Sequence, residues 1–171
     1  MTPQKTKQAD ELRVKDDIEV GKPAPEFQAR DDNGQSVKLS DFRGQKAVLL
    51  LFYPFAFSGT CTKEFCSLRD ENADLVSDEK VEIFGVSCDP VWAIRSWKQQ
   101  QNYPNRFLSD FWPHGEMSWL YGAFDDKIGS CVRRTVLIDK DGIIRSVERN
   151  TLENIAEARD QQPWRAEIAK L

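Results

Sequence analysis

The chain has 171 residues, 40% hydrophobic and 30% charged, which suits one globular domain with a single sizeable core. Its net charge of -4 and pI near 5.2 argue against nucleic acid or an anionic membrane as the main partner. No apolar run approaches the roughly 18 residues needed to span a bilayer, and the polar start MTPQKTKQ carries no apolar targeting segment, so a cytoplasmic location is expected.

Residues 1–19 alternate charge and amide with few apolar positions and read as a mobile or loosely docked tail, leaving residues 20–171 as one domain. Segments 26–30 and 35–39 flank Asn33-Gly34, a hairpin signal. A short helical turn over 40–44 precedes the apolar run 47–53, which reads as a strand buried on both faces. A helix is predicted from Ser58 to about Asp78, with Phe65, Leu68, Leu75 and Val76 on its inner face. A strand over 81–87, a helix opened by Pro90, a short strand over 107–110 and a helix over 116–124 follow. Segments 134–139 and 143–148 flank Lys140-Asp141-Gly142 as a second hairpin, and a helix running through Ile155 or later closes the chain. This order predicts an α/β domain with a mixed central sheet flanked by helices and an N-terminal hairpin extension.

Four cysteines stand at 61, 66, 88 and 131. Paired disulfides suit small secreted chains, and zinc is disfavoured because there is no Cys-x-x-Cys pair and His114 is the sole histidine. No glycine-rich phosphate cradle occurs, so neither metal nor cofactor is implied. Cys61 is different in kind. It follows a buried strand and a short turn and stands at a helix start, where unpaired N–H groups and the helix dipole favour an anion. Cysteine reacts as thiolate, so this placement builds a nucleophile.

The run Pro54-Phe55-Ala56-Phe57-Ser58-Gly59-Thr60-Cys61 fits the Pro-x-x-x-(Thr/Ser)-x-x-Cys signature of peroxiredoxins, and Arg133 to Asp139 resembles their Arg-x-x-(apolar)3-Asp strand. The resemblance runs from about Val20 to the C-terminus. Ser109-Asp110-Phe111-Trp112-Pro113-His114-Gly115, followed by Tyr121-Gly122, looks like the alkyl hydroperoxide reductase E group. The resemblance implies a thioredoxin-like fold and a thiol peroxidase that reduces hydrogen peroxide or organic hydroperoxides. It assigns Cys61 as attacker, Ser58 as hydrogen-bond partner, Arg133 as charge stabiliser and Pro54 as pocket wall. Ser58 equally suits a helix N-cap, and Glu64 a first-turn dipole residue or a partner of the arginine. Arg133 competes with Arg134, because strand alternation lets only one of them face Cys61; the spacing to Asp139 favours Arg133. Phe57 and Trp112 read as packing, as an apolar pocket wall or as a dimer contact.

A sulfenic acid at Cys61 needs a second thiol. Cys66 occupies the resolving position of bacterioferritin-comigratory-type peroxiredoxins, whereas the E group implies an outside reductant, a thioredoxin-like protein or a low-molecular-weight thiol. Five helical residues separate Cα atoms by about 8 Å, so a 61–66 disulfide requires the helix start to unwind. Cys131 lies two residues before Arg133, and unbroken alternation would aim both at the pocket, making it a lesser resolving candidate. A homodimer or larger oligomer is implied by analogy. A peroxide sensor or holdase using the same cysteine, or a thiol–disulfide oxidoreductase, are the rival readings.

Overall fold

The computed structural model describes residues 18–149 and 162–171. Most of the N-terminal tail, and Ile155 with the start of the expected last helix, lie outside the described residues. Ile18 is buried against the core. Strands β1 (Gln28–Asp31) and β2 (Ser36–Lys38) form the predicted hairpin. Asp31 accepts from the N–H groups of Asn33 and Gln35, each at 2.9 Å, while Gly34 takes the positive φ that the turn requires. A 3-10 turn (Leu39–Phe42) leads into β3 (Ala47–Phe52), buried at every residue.

The helix predicted over 58–78 is two helices, α1 (Gly59–Glu71) and α2 (Ala73–Val76). Asn72 interrupts it: its side chain donates to Ser67 O at 3.2 Å, a local bond that competes with helical continuation. Then come β4 (Val81–Ser87), α3 (Val91–Gln101) with Pro90 as its N-cap, and β5 (Arg106–Ser109).

Helix α4 (Glu116–Leu120) ends four residues before Phe124, the predicted limit. Gly122 takes a positive φ there, Ala123 N–H donates to Ser118 O at 2.7 Å and Gly122 N–H to Trp119 O at 3.1 Å, the Schellman pattern that stops a helix. Two short strands absent from the sequence reading follow, β6 (Phe124–Asp125) and β7 (Ser130–Cys131), which pair only with each other. At two residues each they have no period to read. Strands β8 (Arg134–Ile138) and β9 (Ile144–Arg149) form the second hairpin, and α5 (Gln162–Ile168) follows.

The main sheet has the order β2-β1-β5-β4-β3-β8-β9. β3, β4 and β5 run parallel and β8 runs antiparallel to β3, so the sheet is mixed as expected. Because β3, β4 and β5 step across the sheet in one direction, crossovers of one hand put α1 and α3 on the same face. There Phe65, Leu68, Ile94 and Trp97 pack with Trp164 and Ile168 of α5. The opposite face carries Leu39, Met117, Tyr121 and Cys131. Tyr53, Phe65, Trp97, Tyr103 and Phe107 make an aromatic cluster under α1, with neighbouring centroids as close as 5.0 Å. Gly85 in β4 is required by this cluster: a Cβ there would lie 2.5 Å from the Phe107 ring.

Two consequences place the site. The parallel strands put the β3–α1 loop at the carboxyl edge of the sheet, where open α/β sheets bind ligands. The antiparallel register sets Phe52 opposite Arg134, which brings Arg133 beside the residues that follow β3.

Candidate active site

Ser58 is the N-cap of α1, and its Oγ accepts from the backbone N–H of Cys61 at 3.3 Å. Cys61 therefore sits in the first turn and is fully buried. Arg133 donates to the Cys61 sulfur from both Nη1 and Nη2, each at 3.3 Å. Its Nη1 also donates to Glu64 Oε2 at 3.0 Å, a buried ion pair whose side chains are 2% and 4% exposed. Glu64 lies one helical turn beyond Cys61, so the two reach the same guanidinium. Arg134 turns the other way and donates to Tyr121 O at 2.8 Å.

The loop before α1 is held at both ends. Ser130 Oγ donates to the carbonyl of the buried Pro54. Asp89 Oδ2 accepts from Ala56 N–H at 2.8 Å and from Ser87 Oγ at 2.8 Å. Phe57 takes φ 65°, a left-handed conformation costly for a bulky side chain, and turns the chain into the Ser58 cap. Asp89 and Ser130 escaped the sequence reading. Asp89 left a signal, an acid before Pro90 at a strand end; Ser130 left none, because its partner is 76 residues away.

The first turns of α1 are tied to the aromatic cluster. Thr62 Oγ1 donates to Ser58 O at 2.8 Å and accepts from Trp97 Nε1 at 3.3 Å, and Tyr103 donates to Thr62 O at 3.3 Å. Cys66 is on the same unbroken helix, half-buried, with its sulfur 3.8 Å from both Gln101 Oε1 and Tyr103 Oη.

Cys131 is not where alternation would put it. Val132 and Arg133 lie outside β7 and β8, and Val132 N–H is taken by Ala123 O at 2.7 Å. The period of two is broken between residues 131 and 133, so Cys131 falls on the opposite face of the sheet from Cys61, beside Cys88. Phe57 and Trp112 are 52% and 82% exposed, with Phe55 and Phe111 also exposed on neighbouring loops. All four are largely outside the core. Phe57 alone leans inward, its ring 6.4 Å from Trp97.

Among the described residues, no group of three or more His, Cys, Asp or Glu side chains is arranged to hold a metal ion, and no helix is long and apolar enough to cross a membrane. Two guanidinium N–H groups converge on the buried sulfur, and the same fork can stabilise charge developing on an oxygen bound beside it.

Known proteins resemble this chain over most of its length. Residues 20–147 match the AhpC/TSA family model. Alkyl hydroperoxide reductase E of Mycobacterium tuberculosis is 39% identical over 154 residues, covering 90% of this chain and 98% of the relative. Peroxiredoxin bcp1 of Schizosaccharomyces pombe is 30% identical over 155 residues, covering 89% of this chain and 78% of the relative. The reduced 2-Cys peroxiredoxin of Plasmodium vivax superposes with a TM-score of 0.77 at 30% identity, covering 90% of this chain and 96% of that one. The thioredoxin-like fold, the enclosed cysteine and these relatives lead to one conclusion: the chain belongs to the AhpC/TSA family and is a peroxiredoxin, a thiol-dependent peroxidase.

Proposed function

We propose that Cys61 attacks hydrogen peroxide or an organic hydroperoxide, with Arg133 stabilising the departing oxygen. The observation that carries this is the pair of 3.3 Å contacts from one guanidinium to the Cys61 sulfur. Sulfur bonds to the nearer oxygen, the O–O bond breaks, and the other oxygen leaves as alkoxide or hydroxide to be protonated. Ser58 holds the turn that aims the sulfur, Glu64 orients the arginine, and Pro54 walls off water from the sulfenic acid. Cys61 and Arg133 are both enclosed.

Regeneration in this reading uses Cys66, followed by a thioredoxin-like protein or a low-molecular-weight thiol. The Thr62 contacts to Ser58, Trp97 and Tyr103 must give way first, because a disulfide needs Cα atoms within about 7 Å. After one equivalent of hydrogen peroxide, the wild type is expected to lose two hydrogens in intact mass, with a 61–66 crosslink on peptide mapping. Cys66→Ser is expected to gain one oxygen at Cys61 instead. A trapped oxygen at Cys61 in both proteins would remove Cys66 from the cycle and leave resolution to an outside thiol. We place the protein in the cytoplasm, where the thiols that this cycle needs are kept reduced.

The exposed aromatics Phe55, Phe57, Phe111 and Trp112 support a homodimer contact centred on Trp112, since tryptophans buried on association commonly anchor interfaces. Trp112→Glu is expected to weaken self-association on the order of 30-fold in sedimentation velocity, the loss typical of an interface anchor. An unchanged dimer would place the interface elsewhere.

A further inference from the structure

The four thiols fall on two faces of the sheet. Cys61 and Cys66 belong to α1, while Cys88 and Cys131 lie in the opposite cluster with Phe52 and Tyr121. Cys88 directly follows β4 and Cys131 ends β7, and their sulfurs are 3.7 Å apart in the reduced protein. A disulfide bond is about 2.04 Å long, so closure asks for roughly 1.7 Å of approach by two side chains already in contact.

The surroundings order the two sulfurs. Ser118 Oγ donates to Asp110 Oδ2 at 2.6 Å and lies 3.0 Å from the Cys131 sulfur. Its hydrogen is committed to the carboxylate, so its oxygen accepts from the Cys131 S–H, and the Cys131 sulfur accepts from the Cys88 S–H. Burial pushes the Cys131 thiol up, and the neighbouring Cys88 pushes it further. Cys88 is the free end of this chain and the more accessible, 6% exposed against 0%.

We propose that Cys88 and Cys131 form a second oxidation site, a dithiol that hydroperoxide converts to a disulfide without the participation of Cys61. The Cys88 sulfur attacks one peroxide oxygen; the O–O bond breaks, and the other oxygen leaves as alcohol or water with the Cys88 proton. Cys131 then attacks the Cys88 sulfenic acid, forming the S–S bond, breaking the S–O bond and releasing water with its own proton. Two electrons from the pair reduce one peroxide. Among the described residues neither sulfur has guanidinium contacts like those on Cys61, so this reaction is slow and belongs to peroxide excess.

The placement gives the bond a consequence. Cys88 is the neighbour of Asp89, which holds Ala56 N–H, and Cys131 is the neighbour of Ser130, which holds the Pro54 carbonyl. The disulfide ties together the two supports of the loop that leads to Cys61.

The test uses the full chain with Cys61→Ser and Cys66→Ser, so that only this pair can react. Excess hydrogen peroxide is expected to remove two hydrogens in intact mass and abolish alkylation of both remaining cysteines after denaturation, both reversed by dithiothreitol. Adding Cys131→Ala is expected to replace the two-hydrogen loss by oxygen on Cys88. Wild-type protein treated in parallel and digested without reduction is expected to yield the 88–131 crosslinked peptide, a readout that does not depend on variant folding. Both cysteines still alkylated, or oxygen added with no crosslink, would overturn the proposal. Neither result bears on Cys61, whose reading is tested by turnover.

Discussion

Cys61→Ser is expected to lose nearly all peroxide consumption in the presence of excess dithiothreitol, leaving only slow turnover of the Cys88–Cys131 pair. A serine hydroxyl is isosteric with the thiol but stays protonated near neutral pH, and oxygen cannot carry the sulfenic acid that stores the oxidising equivalent. The Arg133–Glu64 pair and the Ser58 cap do not need sulfur, so the variant should fold with an unchanged melting temperature. The expected loss is at least about 10⁴-fold, within what enzymes commonly supply over the uncatalysed reaction. Monitoring hydrogen peroxide loss beside a melting curve decides the matter. A folded variant that still turns over at the wild-type rate would move the chemistry to another thiol and end the reading of this site.

Arginine 133 carries the second large expectation, in which rate and stability separate. Arg133→Lys keeps a positive charge but replaces a rigid fork by a single ammonium, which cannot donate to the Cys61 sulfur and Glu64 with the same geometry. The second-order rate constant for peroxide is expected to fall by about 10²–10³, the usual cost of a lost preorganised donor. Arg133→Met goes further and leaves the buried Glu64 carboxylate without its guanidinium. Breaking such a pair from one side costs about 3–5 kcal/mol, visible as a lower urea midpoint. Adding Glu64→Gln to Arg133→Met removes the stranded charge and is expected to restore much of the stability but none of the rate. Recovery of the rate in that double variant would mean that Arg133 only neutralises Glu64 and does nothing for the peroxide.

The parts of the molecule that were readable from the chain share a short range. Asn33-Gly34 is a turn because the φ it needs suits those residues, and the apolar run before Pro54 is a strand because nothing in it can face water. Ser58 three residues before Cys61 is a cap for the same local reason, one side chain meeting one free N–H. Alternation allowed only one of Arg133 and Arg134 to face Cys61, the spacing to Asp139 favoured Arg133, and Arg133 is the one that meets the sulfur 72 residues away. The same rule failed two residues earlier. Cys131 belongs to a separate two-stranded ladder, and the chain turns between it and Arg133, so one period does not span both. The end of α4 was legible too, at Gly122, but its helical pattern ran on and outweighed the stop signal.

The sequence by itself determined the local frame around Cys61: buried strand, loop, cap and cysteine, all set by backbone preferences within about ten residues. It also determined the alternating layers that place helices on a mixed sheet, because burial of apolar faces leaves few other arrangements. Only the tertiary structure decided which distant groups meet. The antiparallel register of β3 with β8 delivers Arg133 to Cys61, and packing beneath the β3–α1 loop brings Cys88 against Cys131. Those contacts join segments tens of residues apart, and no local pattern in a chain encodes a distance between two faces of a sheet.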